Sequence, residues 1–277
     1  MPSHRVLVFW TSLLALAWGI SLPPLFADGD TDAKDQAAHR ERMQRVAQNI
    51  HLFTGLERGK SEVVLKTEPV LRYTDPTRKQ YDSGLWVWGA GRPAAIMAIE
   101  FYPKHPGGPR WLFEIASLSP ERITANCGSD LNWTAKLPGL KLQELAGAPQ
   151  PAEKATARLT QIKQLQRRFA ATESGTVDGH IELRSLPTPI HRYTDEAAGV
   201  VDGAIMSFAN GTNPEVLLIL EAHGKTGAPG VWRYSLAQMT GAEVAVQVDG
   251  KAVWKSGEAD PPATRDSYIN GWLAEKK

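Results

Sequence analysis

Arg72-Tyr73-Thr74-Asp75 recurs, letter for letter, as Arg192-Tyr193-Thr194-Asp195. Around it, Pro69 matches Pro189, Asp82 matches Asp202 and Gly91 matches Gly211, all at an offset of 120. After one insertion near Pro93 and Pro214 the offset becomes 121, and Glu100 matches Glu221, Trp111 matches Trp232, Ala116 matches Ala237 and Trp133 matches Trp254. Residues 94–133 align with 215–254 without a further gap. A recurrence of this length is one supersecondary assembly used twice, so it governs the fold.

Each copy is preceded by a helical stripe. Met43, Val46, Ile50 and Phe53 fall three and four apart and predict a helix over 38–53; Leu159, Ile162, Leu165 and Phe169 predict a second over 152–171. The period then drops to two. Trp111, Phe113 and Ile115 alternate with Leu112, Glu114 and Ala116, and Trp232, Tyr234 and Leu236 do the same in the second copy. The apolar run Val216–Leu220, with its counterpart Ala94–Ile99, reads as a central strand covered on both faces. Asp249-Gly250 marks a tight hairpin turn. The expected fold is α+β: two tandem repeats, each a helix followed by an antiparallel β-meander of five or six strands, packed about a pseudo-two-fold axis. Two separate beads on a linker is the alternative. The units are placed at 28–136 and 152–277, joined by a Pro/Gly/Ala-rich connector at 137–151, with 28–37 as a polar linker and 103–109 and 224–230 as matched loops.

The N-terminus is set apart from this core. His4 and Arg5 precede an apolar run from Val6 to Ile20, and a small residue, Ala27, stands at a plausible cleavage point. This describes a secretory signal peptide over 1–27, with an uncleaved anchor as the alternative. The run is short for a membrane span, so none is expected after cleavage. The chain carries 31 basic and 30 acidic side chains, and removing 1–27 takes away only Arg5. A charge near zero argues against a nucleic-acid partner. With Cys127 as its single cysteine the chain forms no internal disulfide; Val248 at the equivalent place favours a small packed side chain over a nucleophile.

Chemistry-bearing candidates are few. Arg72 and Arg192 could grip an anion while Asp75 and Asp195 accept hydrogen bonds; the competing reading is a strand end and turn, with each Arg turned to Glu100 or Glu221. Asp82 and Asp202, brought together across a two-fold, could share a proton, and Glu100 and Glu221 end apolar strands where a carboxyl can act as acid or base. Trp86 and Trp88, alternating in a short strand, are the candidates for an exposed aromatic pair. His180 and His191 flank Glu182 too loosely for a metal site. The chain has no Gly-x-Ser-x-Gly elbow, Walker loop or His-Glu-x-x-His, so neither cofactor nor metal is expected.

The second copy, through Leu183-Arg184-Ser185-Leu186-Pro187, Arg192-Tyr193, Asp202-Gly203-Ala204, residues 211–218 and 232–240, and Trp254, resembles a family of exported, uncharacterised proteins of planctomycete bacteria. The resemblance implies a bacterial, secreted or periplasmic protein and supplies no catalytic residues. The expected function is a non-enzymatic module binding a small ligand or a cell-envelope partner; the rival is a hydrolase with a carboxylate site at the junction of the repeats.

Overall fold

Two helices and nineteen strands occupy the residues described by the computed structural model, which are 28–55, 60–75, 80–128, 131–176, 179–224, 230–256 and 263–273. The N-terminal run read as a leader and the centre of the 224–230 loop lie outside them. In the first unit α1 (Asp28–Gln48) is followed by β1 (His51–Thr54), β2 (Ser61–Val63), β3 (Leu71–Asp75), β4 (Gln80–Trp88), β5 (Ala95–Tyr102), β6 (Arg110–Ser117), β7 (Thr124–Cys127) and β8 (Leu131–Thr134). The connector contributes β9 (Gln143–Glu144). The second unit runs through α2 (Ala155–Gln166), β10 (Phe169–Thr176), β11 (Gly179–Ser185), β12 (His191–Asp195), β13 (Val200–Asn210), β14 (Asn213–His223), β15 (Val231–Gln238), β16 (Glu243–Val248) and β17 (Lys251–Lys255). A terminal hairpin, β18 (Ala263–Arg265) and β19 (Tyr268–Trp272), follows the second unit.

The α+β expectation is overturned. Among the described residues the chain is mostly β, built from large antiparallel sheets that include a half-barrel, with only two helices. Two misreadings explain the error. Strands β1, β2, β10 and β11 are rich in Ser, Thr, Glu and His and carry little apolar alternation, so each unit holds eight strands rather than five or six. The helical stripes also ran too far: Phe53 and Phe169 belong to strands, because the chain reverses within a few residues of each helix. At the other end, 28–37 is helical rather than a linker.

In the first unit the strands form a six-stranded sheet, β18-β19-β6-β5-β4-β3, and a four-stranded sheet, β2-β1-β7-β8. In the second unit the equivalent strands join into one sheet, β17-β16-β10-β11-β13-β14-β15-β9, with β12 on β13. The join is made by β11, which pairs through Arg184 and Ser185 to β13; the first unit keeps only the single bridge Leu65–Trp88 at that place. Asp249 and Gly250 link β16 to β17 with φ of 49° and 75°, the left-handed pair that a type I′ hairpin turn requires.

Strand alternation sorts the apolar residues into three cores. Met43 and Ala47 of α1, with Ile50 just after it, pack on Trp86, Trp88, Met97, Ile99 and Trp133 inside the first unit. Ile162, Leu165 and Phe169 pack on Met206, Phe208, Leu218 and Trp232 inside the second. Between the units lies a shared core with equivalent residues from both: Tyr73 and Tyr193, Leu85 and Ile205, Ala98 and Ile219, Leu118 and Met239. At about 25 cal/mol per Å² of buried apolar surface, such a shared core holds the two units as one body.

The free edges are exchanged. β9, which follows the first unit, pairs with Arg233 and Tyr234 of β15 in the second. β19, which follows the second unit, pairs with β6 of the first over Leu112–Ala116. No helix among the described residues is long and apolar enough to cross a membrane.

Candidate functional site

The sequence-nominated residues fall on two different faces of each sheet. Along β3, Arg72 and Tyr73 point to opposite sides, as neighbours in a strand must. Arg72 is on the face that α1 covers, as is Asp82 of β4, and its Nη2 donates to Asp82 Oδ1. In the second unit Arg192 Nη2 donates to Asp202 Oδ2 at 2.5 Å, joined there by Arg158 Nε of α2 at 2.9 Å. Arg158 also bonds the Ala152 and Glu153 carbonyls, so Asp202 pins the start of α2 to the sheet. His39 of α1 takes the corresponding place at 3.7 Å from Asp82. The expected pairing of Arg72 with Glu100 and Arg192 with Glu221 is therefore wrong: the glutamates lie across the sheet, on the shared-core face.

On that face the motif's tyrosine does the work expected of its arginine. Tyr73 and Tyr102 donate to Glu100 at 2.8 and 2.6 Å, and Tyr193 donates to Glu221 at 2.7 Å. Glu221 is also bonded by His223 Nε2 at 2.6 Å and by Arg92 Nε and Nη2, both at 2.7 Å. Burial alone would raise the Glu221 carboxyl, but the bonds from His223, Arg92 and Tyr193 outweigh it and hold the group at about 2. Burial and the adjacent carboxylates push Tyr73 and Tyr193 well above the usual phenol range, which keeps them donors. Glu114, in line with this face, accepts from Tyr268 of the terminal hairpin. Glu114, Tyr268, Arg92 and His223 were not singled out from sequence. The available signal for Glu114 was a carboxylate inside an otherwise apolar strand.

Asp75 and Asp195 form turn and inter-unit contacts. Asp195 Oδ1 accepts the Ala198 N–H at 3.0 Å, within its own turn, and Oδ2 accepts the Arg92 N–H at 3.2 Å, from the other unit. The contact is reciprocal: a Cβ on Gly91 would sit 3.1 Å from the Asp195 carboxylate, and one on Gly211 would sit 3.4 Å from that of Asp75. Thr212 Oγ1 donates to the Thr74 carbonyl, completing the second crossing. The repeated tetrapeptide is thus where each unit receives the β4–β5 or β13–β14 turn of the other.

Trp86 and Trp88 are not an exposed pair. Each is 1% exposed, buried beneath α1. Asp82 and Asp202 do not meet, since each faces its own helix, away from the other unit. His180 bonds Ser174 and His191 stacks on Tyr193; no group of three or more His, Cys, Asp or Glu side chains converges among the described residues.

Two open clefts stand out among the described residues. One, of about 530 Å³, lies beside the end of α1 and is lined mainly by Ile50, Val63, Val64, Leu65 and Trp88. The other, of about 270 Å³, opens where the connector, β15, the end of β17 and the terminal hairpin meet, with Lys141, Lys255 and Arg265 on its walls. The smaller cleft is the candidate site, because the connector, the terminal hairpin and the second unit all build it. None of Asp82, Asp202, Glu100 or Glu221 lines either cleft. No protein-family model, curated protein or solved structure matches this chain.

Proposed function

We propose that this is a non-enzymatic, extracytoplasmic binding module of a bacterial cell envelope, holding a small ligand or a partner group in the cleft where its connector and terminal hairpin meet the second unit. The observation that carries the reading is the placement of the carboxylates. A hydrolase at the junction needs two of Asp82, Asp202, Glu100 and Glu221 in one open cleft. All four are at most 6% exposed, and Asp82 and Asp202 lie on the helix-covered faces of different units. Glu221, held at about 2 by His223, Arg92 and Tyr193, is a poor proton carrier because those partners keep it ionised. A duplicated β scaffold with a concave junction is instead a usual setting for a binding site. The extracytoplasmic part of the reading rests on the basic and apolar start of the chain and on the family resemblance.

Native mass spectrometry on the protein recovered from the cell envelope tests this. A discrete added mass is expected, and it is lost in a Ser267→Trp variant, whose new side chain fills the cleft. Recovery without any added mass, together with hydrolytic turnover that disappears in Glu100→Gln or Glu221→Gln, would reverse the reading in favour of the enzyme.

A further inference from the structure

The junction cleft is charged in a way the duplicated scaffold does not require. Its walls carry Lys141, Lys255 and Arg265 against one lining carboxylate, Asp266. Lys255 is paired with Glu243 at 2.9 Å, but Lys141 and Arg265 make no ion pair with any described residue. Continuing the offset of 121, the three cations stand where the other copy has Pro262, Thr134 and Glu144. The packing shared by both copies therefore does without them. Beside the cations lie Trp254 and Leu236, both partly buried in the second unit's core, which give the cleft an apolar wall.

We infer that this cleft binds a small organic anion, a carboxylate or phosphate monoester with an apolar body, with Lys141 and Arg265 taking the charged group and Trp254 flanking the rest. The guanidinium of Arg265 offers two parallel donors, the geometry that carboxylate and phosphate oxygens match. Cations on a concave, partly apolar wall also concentrate anions more strongly than the same charges on a flat surface. A volume of about 270 Å³ lies near the small end of the range for ligand pockets, which suits a one-ring or short-chain compound. The net charge of the site is low, so the ligand is one whose apolar body contributes alongside its charge. This inference rests on the binding reading above and names the ligand class for the same cleft.

The test is a titration of the protein with benzoate, phenyl phosphate, inorganic phosphate and the neutral benzyl alcohol, followed by calorimetry and by the side-chain N–H resonance of Trp254. Benzoate or phenyl phosphate is expected to bind and to shift that resonance, and whichever binds more tightly identifies the preferred anion. Inorganic phosphate and benzyl alcohol are each expected to bind at least about tenfold more weakly. In a Lys141→Gln/Arg265→Gln double variant the organic anion weakens by about tenfold or more. Lys251→Gln, on β17 with Trp254 but outside the cleft, leaves it unchanged. Benzyl alcohol binding as tightly as benzoate would overturn the anion inference while leaving a binding module intact. Failure of every probe to bind, or equal binding by the double variant, would also overturn it, and the envelope-recovered protein's added mass would then stand as a separate result.

Discussion

Arg92 reaches out of the first unit and grips Glu221 of the second, its Nε and Nη2 each 2.7 Å from a carboxylate oxygen. Glu221 is wholly buried and Arg92 only 13% exposed by side chain. Removing one member leaves the other as a buried charge without its main partner. Arg92→Gln is expected to cost about 3–5 kcal/mol, whereas replacing both with apolar residues of similar volume costs much less. Urea unfolding of the single variant and of Arg92→Met/Glu221→Met measures the difference; equal losses would mean that the pair is not what joins the units here.

Acid should weaken the protein in two steps. His191 is lowered from 6.5 to about 4 by burial, with Lys66 adding to it. The unfolded chain therefore takes up a proton that the folded one resists, and stability falls as pH drops from about 6.5 to about 4. Glu221, held at about 2 against an ordinary 4.5, contributes fully above pH 4.5 and is lost between about 4.5 and 2. Unfolding free energy measured against pH should lose the larger part of its upper step in His191→Phe, His39, also lowered by burial, supplying the remainder, and keep the lower one.

Asp202 should matter more than Asp82. Two arginines, Arg158 and Arg192, converge on Asp202, whereas Asp82 has Arg72 at hydrogen-bond range and His39 at 3.7 Å. Asp202→Asn is expected to cost about 3 kcal/mol or more and Asp82→Asn clearly less. Thermal unfolding and amide exchange in α2 are the readouts, with α2 losing protection in the first variant.

The two turn glycines that cross between units should respond unequally. Gly211 has φ of 62° as well as the Asp75 carboxylate nearby, whereas Gly91 meets only the crowding from Asp195 and Thr194. Gly211→Ala is expected to cost about 1–2 kcal/mol, the cost of left-handed backbone for an ordinary residue, and Gly91→Ala less. Matched losses in chemical denaturation would show that contact rather than backbone conformation sets the effect.

The duplication, its offsets and the central strands could all be read from residue order, because identity at fixed spacing and continuous apolar runs are local signals. The partner of Arg72 could not. Choosing Glu100 over Asp82 needs the face of each side chain, and that follows from register: Arg72 stands opposite Gly84 while Ser83 stands opposite Glu100. The Trp86–Trp88 pair was misjudged for a related reason. Alternation places both on one face but does not say that α1 covers it. The polar strands after each helix escaped notice because backbone pairing, not apolar side chains, is what defines them. The cleft was illegible for the plainest reason: its walls come from residues more than a hundred positions apart.

The exchanged edges also set an order in time. Tyr268 closes on Glu114 across 154 residues, and β19 completes the six-stranded sheet that begins at β3. The earlier unit is thus finished after the later one, and β6 keeps an open edge until β19 arrives. Contacts of such long separation form slowly, and an open edge invites pairing with other chains. Loss of β19 should therefore harm the first half of this molecule more than the second.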